Sequence, residues 1–322
     1  WWADHGVAVT LITLAGTGSD FYHLSPAVRR VALDLSRPSS GLLDALRANA
    51  TRLAALRRAL RDSRPDAVIS FCDITNVLVL VASTGMRVPV IVSERIDPRR
   101  YPIGRFWSAL RRLVYRRAAA LVVQTEALRP WAETHIASRH VAVIPNPVRV
   151  ATTASECQRD ASFPQPQEHR ILAMGRLDPQ KGFDLLLRAF ARCAPQAPDW
   201  TLTILGEGPE RPALERMIGE LGLAGRVFLP GRIPDPETRL RAADLFVLSS
   251  RFEGFPNALV EAMACGLPVL STDCPTGPAE IIRPGVDGVL VPPDDEEALA
   301  QALLHLIENP DERQRLAARF PD

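Results

Sequence analysis

Residues 249–268 read SSRFEGFPNALVEAMACGLP, and the segment just before them, Asp244–Ser249, is DLFVLS. The apolar run predicts a buried strand. Gly254-Phe255-Pro256-Asn257 predicts a tight loop and the residues after it a helix. Pro256 suits a helix's first turn, where its missing N–H costs nothing. Gly266 followed by Pro268 ends the helix. This strand–loop–helix order places Glu253 on the loop and Glu261 about one turn into the helix. In an open parallel sheet, ligands bind beyond the carboxyl ends of strands, and helix N-termini there favour anions. One acid can then face a reacting centre and the other a hydroxylated group farther in. The competing reading is two solvated acids, because two glutamates eight apart are a weak pattern.

Working back from this stretch, residues 170–174 (RILAM) are another apolar strand, followed by Gly175-Arg176-Leu177-Asp178-Pro179-Gln180-Lys181-Gly182 and a helix over 183–193. Arg176 and Lys181 sit on a strand-to-helix loop, where a guanidinium can fork to two oxygens and an ammonium supplies a point charge. That is good placement for a diphosphate, though a solvated surface is a fair reading of Arg176 and a poorer one of Lys181. Lys181 is the only lysine among 322 residues. The loop lacks the Walker pattern. Residues 206–208 carry a G-x-G without the third glycine of a dinucleotide fingerprint. Further strands are expected at 200–205, 227–229, 269–272 and 289–291. Further helices are expected at 211–221, 235–243 and from 279, with 295–308 the last.

The first half repeats the alternation, with strands expected at 7–14, 67–70, 88–93, 121–124 and 141–144 and helices at 42–61, 76–84 and 104–117. Continuous apolar strands between helices predict parallel sheets covered on both faces. Trp1–Gly6 reads as a helix's last turn capped by Gly6. This predicts a fragment from which an earlier strand and loop have been lost. Residues 148–169 lose all apolar periodicity and predict a linker. The division expected is 1–149, a linker at 150–168, and 169–322.

Composition narrows the function classes. At 47% hydrophobic the chain has ample apolar mass for two cores. No apolar run reaches the roughly 18 residues of a membrane span. The five cysteines form no C-x-x-C pair or metal spacing, which points to reduced thiols and a cytoplasmic compartment. The net charge is +1, and no nucleic-acid module is recognisable. Residues 1–160 hold 22 Arg against 13 Asp and Glu, whereas residues 161–322 hold 16 Lys and Arg against 24 acids. The helix at 104–117 sets Phe106, Trp107 and Tyr115 beside five arginines. It reads either as a helix lying on an anionic membrane surface or as a solvated cationic face over an aromatic core stripe, and the second reading carries more weight.

In order, Gly175-Arg176-Leu177, Gln180-Lys181-Gly182, Leu205–Pro209, Gly231, Ala243-Asp244, Glu253–Pro256, Glu261-Ala262, Gly266 and Pro268-Val269 resemble the retaining glycosyltransferases of family GT4. Asn146-Pro147 also fits. The likeness covers about 150 residues in strict order, far more specific than any one motif. Residues 274–282 (CPTGPAEII) resemble the bacterial subgroup that builds surface polysaccharides and lipid-linked oligosaccharides. The resemblance implies the GT-B fold, two Rossmann-like doubly wound domains facing across a cleft. The first would be the acceptor side and the second would bind the nucleotide-sugar donor. A first strand and loop and a final crossover helix would be missing from the chain.

The resemblance also implies roles. Arg176 and Lys181 would neutralise the leaving nucleoside diphosphate, with no metal and no cofactor needed. Glu261 would take the ribose hydroxyls and Glu253 would lie beside the donor sugar. Gly254, Phe255, Asn257 and Ala258 would approach sugar and phosphate at the helix N-terminus, with Gly175 and Asn146 near the donor and Gly231 and Arg232 beside the nucleobase. Many relatives carry a histidine after the strand at 88–93. Here Glu94-Arg95 stands in its place, and both are candidate site residues. A UDP-sugar donor and a saccharide or lipid-linked acceptor at the inner membrane face are the implied partners. A nucleotide-sugar epimerase of the same fold and a non-catalytic nucleotide-sugar-binding or membrane-docking module remain as alternatives.

Overall fold

The computed structural model describes residues 1–19, 24–37, 40–135, 140–148 and 169–317. The expected linker and Cys157 lie largely or wholly outside them. Residues group into two compact units, Trp1–Val123 with Arg129–Ala142, and Gln124–Leu128 with Val143–Asp322.

The first unit runs β1 (Thr10–Thr13), β2 (Arg29–Ala32), α1 (Leu42–Ser63), β3 (Val68–Phe71), α2 (Asp73–Ala82), β4 (Val90–Ser93), α3 (Arg105–Val114), β5 (Ala120–Val123), α4 (Arg129–His135) and β6 (Val141–Val143). Before β1, Trp1–Gly6 forms a 3-10 turn over Ala3–His5 that ends on Gly6 at φ 81°, the cap read from the sequence. Among the described residues the strands are parallel and fall into two hydrogen-bonded sets. β1 and β2 pair in parallel as one sheet, while β3, β4, β5 and β6 follow each other in a second. Among the described residues β1 pairs only with β2, and β3 only with β4. Strand β2 and helix α4 escape sequence reading: one is arginine-led and the other is seven residues long with Pro130 inside it.

The second unit runs β7 (His169–Met174), α5 (Phe183–Cys193), β8 (Trp200–Leu205), α6 (Arg211–Glu220), β9 (Val227–Gly231), α7 (Pro236–Arg241), β10 (Leu245–Leu248), α8 (Asn257–Ala264), β11 (Val269–Thr272), α9 (Pro278–Ile281), β12 (Val289–Val291), α10 (Glu296–Glu308) and α11 (Pro310–Ala317). All six strands are parallel, in the order β12-β11-β10-β7-β8-β9. Successive side chains of a strand point to opposite faces, and the burial follows that rule. Ile171, Ala173, Leu245 and Val247 enter one core with the apolar faces of α5 and α10. Leu172, Phe246 and Leu248 enter the other with α8. Alternation is invisible in the composition of these strands because both faces are covered. Helix α11 was not expected. Pro310 begins it directly after Asn309, and Arg313 secures it by donating to the Leu306 and Ile307 carbonyls.

This topology decides where a crevice opens at the sheet's edge of strand ends. From β7 the chain winds outward through β8 and β9, then returns to lay β10 on the other side of β7. The crevice beyond the carboxyl ends of β7 and β10 is therefore a topological switch point. The loops Gly175–Gly182 and Ser249–Pro256 flank it.

Candidate active site

The two loops at the switch point are stitched to each other. Arg251 N donates to the Gln180 carbonyl at 2.8 Å, Gln180 Nε2 to the Phe252 carbonyl at 2.9 Å, and Ser249 Oγ to the Lys181 carbonyl at 2.9 Å. Arg251 also donates to the Pro179 carbonyl and to both oxygens of Asp184. Gly182 stands at φ 61°, and a Cβ there would fall 2.2 Å from the Ser249 carbonyl oxygen. The third glycine loop closes in the same way, since a Cβ on Gly206 would fall 1.8 Å from the Gly175 carbonyl oxygen. Glycine at these positions is what lets three loops share one crevice.

Lys181 and Glu253 meet there. Lys181 Nζ donates to Glu253 Oε1 at 2.6 Å, and Ser250 Oγ donates to the same oxygen at 2.6 Å. The two charged side chains are 17% and 5% exposed. Thr276 Oγ1 donates to the Glu253 carbonyl, and Thr272 Oγ1 to that of Ser250 at 2.6 Å, so the loop's backbone is anchored from β11 and the turn after it. Gly175 is bare against the Lys181 stem, whose Cε would lie 3.0 Å from a Cβ on it.

Arg176 keeps to the outer side of its loop. Its side chain is 68% exposed, with Nε 3.7 Å from Asp178. Glu261 lies in α8, which continues the Glu253 loop. Its carboxylate makes no hydrogen bond or ion pair with any described residue, and burial pushes its pKa up. A half-buried carboxylate of this kind is a good acceptor for hydroxyls. Pro256 takes the N-cap rather than a place inside α8, and the Asn257 amide donates back to the Phe255 carbonyl at 3.0 Å. Gly254 is buried, Phe255 and Ala258 are half-buried, and Asn257 is exposed, its Oδ1 accepting from Asn146 Nδ2 at 2.6 Å. At its far end α8 closes in a Schellman motif: Leu267 N bonds the Ala262 carbonyl, Gly266 N that of Met263, and Gly266 takes φ 76°. Gly231 (φ 89°) packs on Glu207, which pairs with Arg211, and Arg232 is exposed beside them.

The remaining two candidates lie in the first unit and part company. Glu94, a candidate site residue by its place after β4, points inward with no exposure. Tyr115 Oη donates to Glu94 Oε1 at 2.5 Å, Asn76 Nδ2 donates to Tyr115 Oη at 3.2 Å, and Arg111 Nη1 stands 3.8 Å from Glu94. Burial raises the Glu94 pKa to about 7 against the opposing pull of Tyr115 and Arg111. Glu94 is therefore an interior group at the end of β4 in this structure, and its second oxygen, Oε2, has no hydrogen-bond partner among the described residues. The reason for the inward turn is local: Tyr115, read as part of an aromatic stripe, supplies a hydroxyl that draws the carboxylate inward. Arg95 turns the other way, half-buried, with its guanidinium carbon 5.4 Å from the Phe71 ring centre.

Sequence reasoning missed Ser250, Arg251, Thr272, Thr276, Tyr115, Arg111 and Asn76. Ser250 alone carried a usable signal, three residues from Glu253 on one loop. The others reach their partners over distances along the chain that no local pattern records.

Residues 155–320 match the family model of the glycosyl transferases group 1, and residues 1–147 that of the glycosyl transferase 4-like domain. The chain belongs to the glycosyl transferases group 1 family and is a GT4-type glycosyltransferase. It is 30% identical over 300 residues to the GalNAc-α-(1→4)-GalNAc-α-(1→3)-diNAcBac-PP-undecaprenol α-1,4-N-acetyl-D-galactosaminyltransferase of Campylobacter jejuni, covering 93% of this chain and 80% of that protein. It is 38% identical over 191 residues to an exopolysaccharide phosphotransferase of Streptomyces coelicolor, covering 58% of this chain but only 19% of that one. Among solved structures, Anabaena HepE with UDP and glucose superposes with a TM-score of 0.73 at 23% identity, over 90% of this chain and 79% of HepE, a likeness of fold. That fold is GT-B.

Proposed function

We propose that the chain is a retaining, metal-independent glycosyltransferase that moves a hexose or N-acetylhexosamine from a UDP-sugar to a saccharide or lipid-linked saccharide in surface polysaccharide synthesis. The observation that carries the reading is the withdrawn Lys181–Glu253 pair at the switch-point crevice, 2.6 Å apart beside the N-terminus of α8. The donor and acceptor classes are supported by what HepE was solved with and by the lipid diphosphate in the Campylobacter relative's name. Peripheral attachment at the inner membrane face accords with such an acceptor, and no described helix is long and apolar enough to cross a membrane.

In this reading the diphosphate lies on the amide end of α8 with Lys181 and the exposed charge of Arg176. The acceptor oxygen attacks the sugar's anomeric carbon as its bond to the phosphate oxygen breaks, and the acceptor proton passes to that leaving oxygen on the same face. Lys181 and Arg176 stabilise the developing charge on the diphosphate, electrostatic catalysis worth about 3 kcal/mol per donor. Glu253 stabilises the positive sugar ring and is not a covalent nucleophile, unlike one carboxylate of a retaining hydrolase. Glu261 accepts from the ribose hydroxyls, at about 1.5–3 kcal/mol for bonds to a charged group.

The test is to incubate the protein with nucleotide sugars and polyprenyl-diphosphate saccharides and to identify the product by NMR. Release of UDP together with an acceptor product that keeps the donor's anomeric configuration is expected. An isomerised nucleotide sugar formed without acceptor would favour the epimerase, and donor binding with no chemistry the binding module.

A further inference from the structure

The two oxygens of the Glu253 carboxylate are treated unequally. Lys181 Nζ and Ser250 Oγ both donate to Oε1, each at 2.6 Å. Oε2 has no hydrogen-bond or ion-pair partner among the described residues, and unlike Glu94 Oε2 it is not sealed from solvent. The two donors on Oε1 also differ in what can draw them away. Lys181 ends a flexible four-carbon stem, keeps 17% exposure, and carries three donor protons and a full charge. A diphosphate in the crevice competes for that charge directly. Ser250 is neutral and has no exposure. Its backbone is pinned by Thr272 Oγ1, which donates to its carbonyl at 2.6 Å, and the Glu253 carbonyl is pinned by Thr276 Oγ1. Between them, Gln180 Nε2 holds the Phe252 carbonyl and Asp184 holds the Arg251 side chain, so the bend from Ser250 to Glu253 keeps its shape.

We infer that Ser250 is a positioning residue for Glu253: it keeps hold of Oε1 when the donor's diphosphate draws Lys181 away, and so keeps Oε2 turned to the sugar. The inference rests on the transfer reading above and adds to it a division of labour within one carboxylate. A glutamate side chain turns about several bonds, and a carboxylate held by Lys181 alone would be released just as the diphosphate arrives. A buried hydroxyl with a fixed backbone is the donor that stays. Its chemical type matters as well. A second cation on Oε1 would oppose the positive charge that develops on the sugar ring, whereas a hydroxyl fixes the orientation and adds no charge. Ser250 itself touches neither sugar nor diphosphate in this arrangement and acts only through Glu253.

The test is a double-mutant cycle over wild type, Ser250→Ala, Glu253→Gln and the double variant, reading kcat at saturating nucleotide sugar and UDP affinity by calorimetry. Ser250→Ala removes one hydroxyl and no carbon, and far-ultraviolet circular dichroism checks that each variant folds. Ser250→Ala is expected to lower kcat about tenfold or more with UDP affinity unchanged. In the Glu253→Gln background the same substitution is expected to cost less than about twofold, because the residue it acts through has already lost its role. A merely structural serine would lower kcat by the same factor in both backgrounds. That result, or full turnover by Ser250→Ala, would overturn the inference and leave the transfer reading standing. If the wild type moves sugar to no acceptor, the transfer reading falls, and crystal structures of Lys181→Ala and Lys181→Ala/Ser250→Ala decide the positioning role by themselves. With the lysine gone, Glu253 is expected in one orientation where Ser250 remains and in more than one where it does not. One shared orientation in both would overturn the inference.

Discussion

Lys181 and Glu253 are 72 residues apart in sequence and 2.6 Å apart in space, and Ser250 donates to the same carboxylate oxygen. The pair fixes the carboxylate beside the N-terminus of α8. Glu253→Gln keeps the shape and removes the charge. Transfer should slow about a hundredfold or more while UDP affinity changes little. Initial rates and calorimetry on one preparation check this, and an equal loss in both would place Glu253 in donor binding alone.

Gly182→Ala should damage the crevice without removing any charged group. Its Cβ would meet the Ser249 carbonyl at 2.2 Å, and φ 61° is strained for any side chain. A stability loss of about 2 kcal/mol or more is expected in urea titration. The control is Gly219→Ala, where a Cβ meets nothing and the helix position favours alanine.

Glu94 makes stability depend on pH in a direction opposite to most carboxylates. Its pKa rises from 4.5 to about 7 on folding. Between those values the folded state holds more protons than the unfolded one, so stability is fullest below pH 4.5 and falls as pH rises through 7. Glu94→Gln removes this dependence. Relative to wild type, the variant should gain on the order of 3 kcal/mol between pH 4 and pH 8. Thermal melts across that range measure it, and parallel curves would contradict the upward shift that burial gives Glu94. Tyr115→Phe should shift the same profile without abolishing it.

The second unit was legible in sequence because each of its signals is local. Apolar runs at 200–205 and 269–272 are strands with those bounds, 183–193 is a helix with those bounds, and Gly266 closes α8 as its position implied. Glu253 falls on the loop and Glu261 in the helix for the same reason. What was not legible needs a third dimension. Whether Phe106 or Trp107 faces the core depends on where α2 lies, and nothing within α3 says so. Glu94 looked like a loop acid because the hydroxyl that draws it inward belongs to Tyr115, 21 residues away. The split of the first sheet is likewise a matter of which edges meet.

Arg251 holds the two site loops together through Pro179 and Asp184. Burial would raise the Asp184 pKa, but hydrogen bonds from Arg251 and Arg188 outweigh it and bring it to about 2. That stability is present above pH 3.8 and is lost as pH falls through 2. Arg251→Ala should cost about 1–2 kcal/mol at neutral pH, discounted for its partial exposure. The cost should shrink toward pH 2, and guanidinium titrations at the two pH values check it.

The most direct measurement is UDP binding by calorimetry to wild type, Lys181→Ala and Glu261→Gln, each confirmed folded by circular dichroism. The account predicts binding to wild type and a weakening of about tenfold or more in each variant. Unchanged UDP affinity in both variants would contradict it, because the nucleotide would then lie somewhere other than the crevice between the β7 and β10 loops.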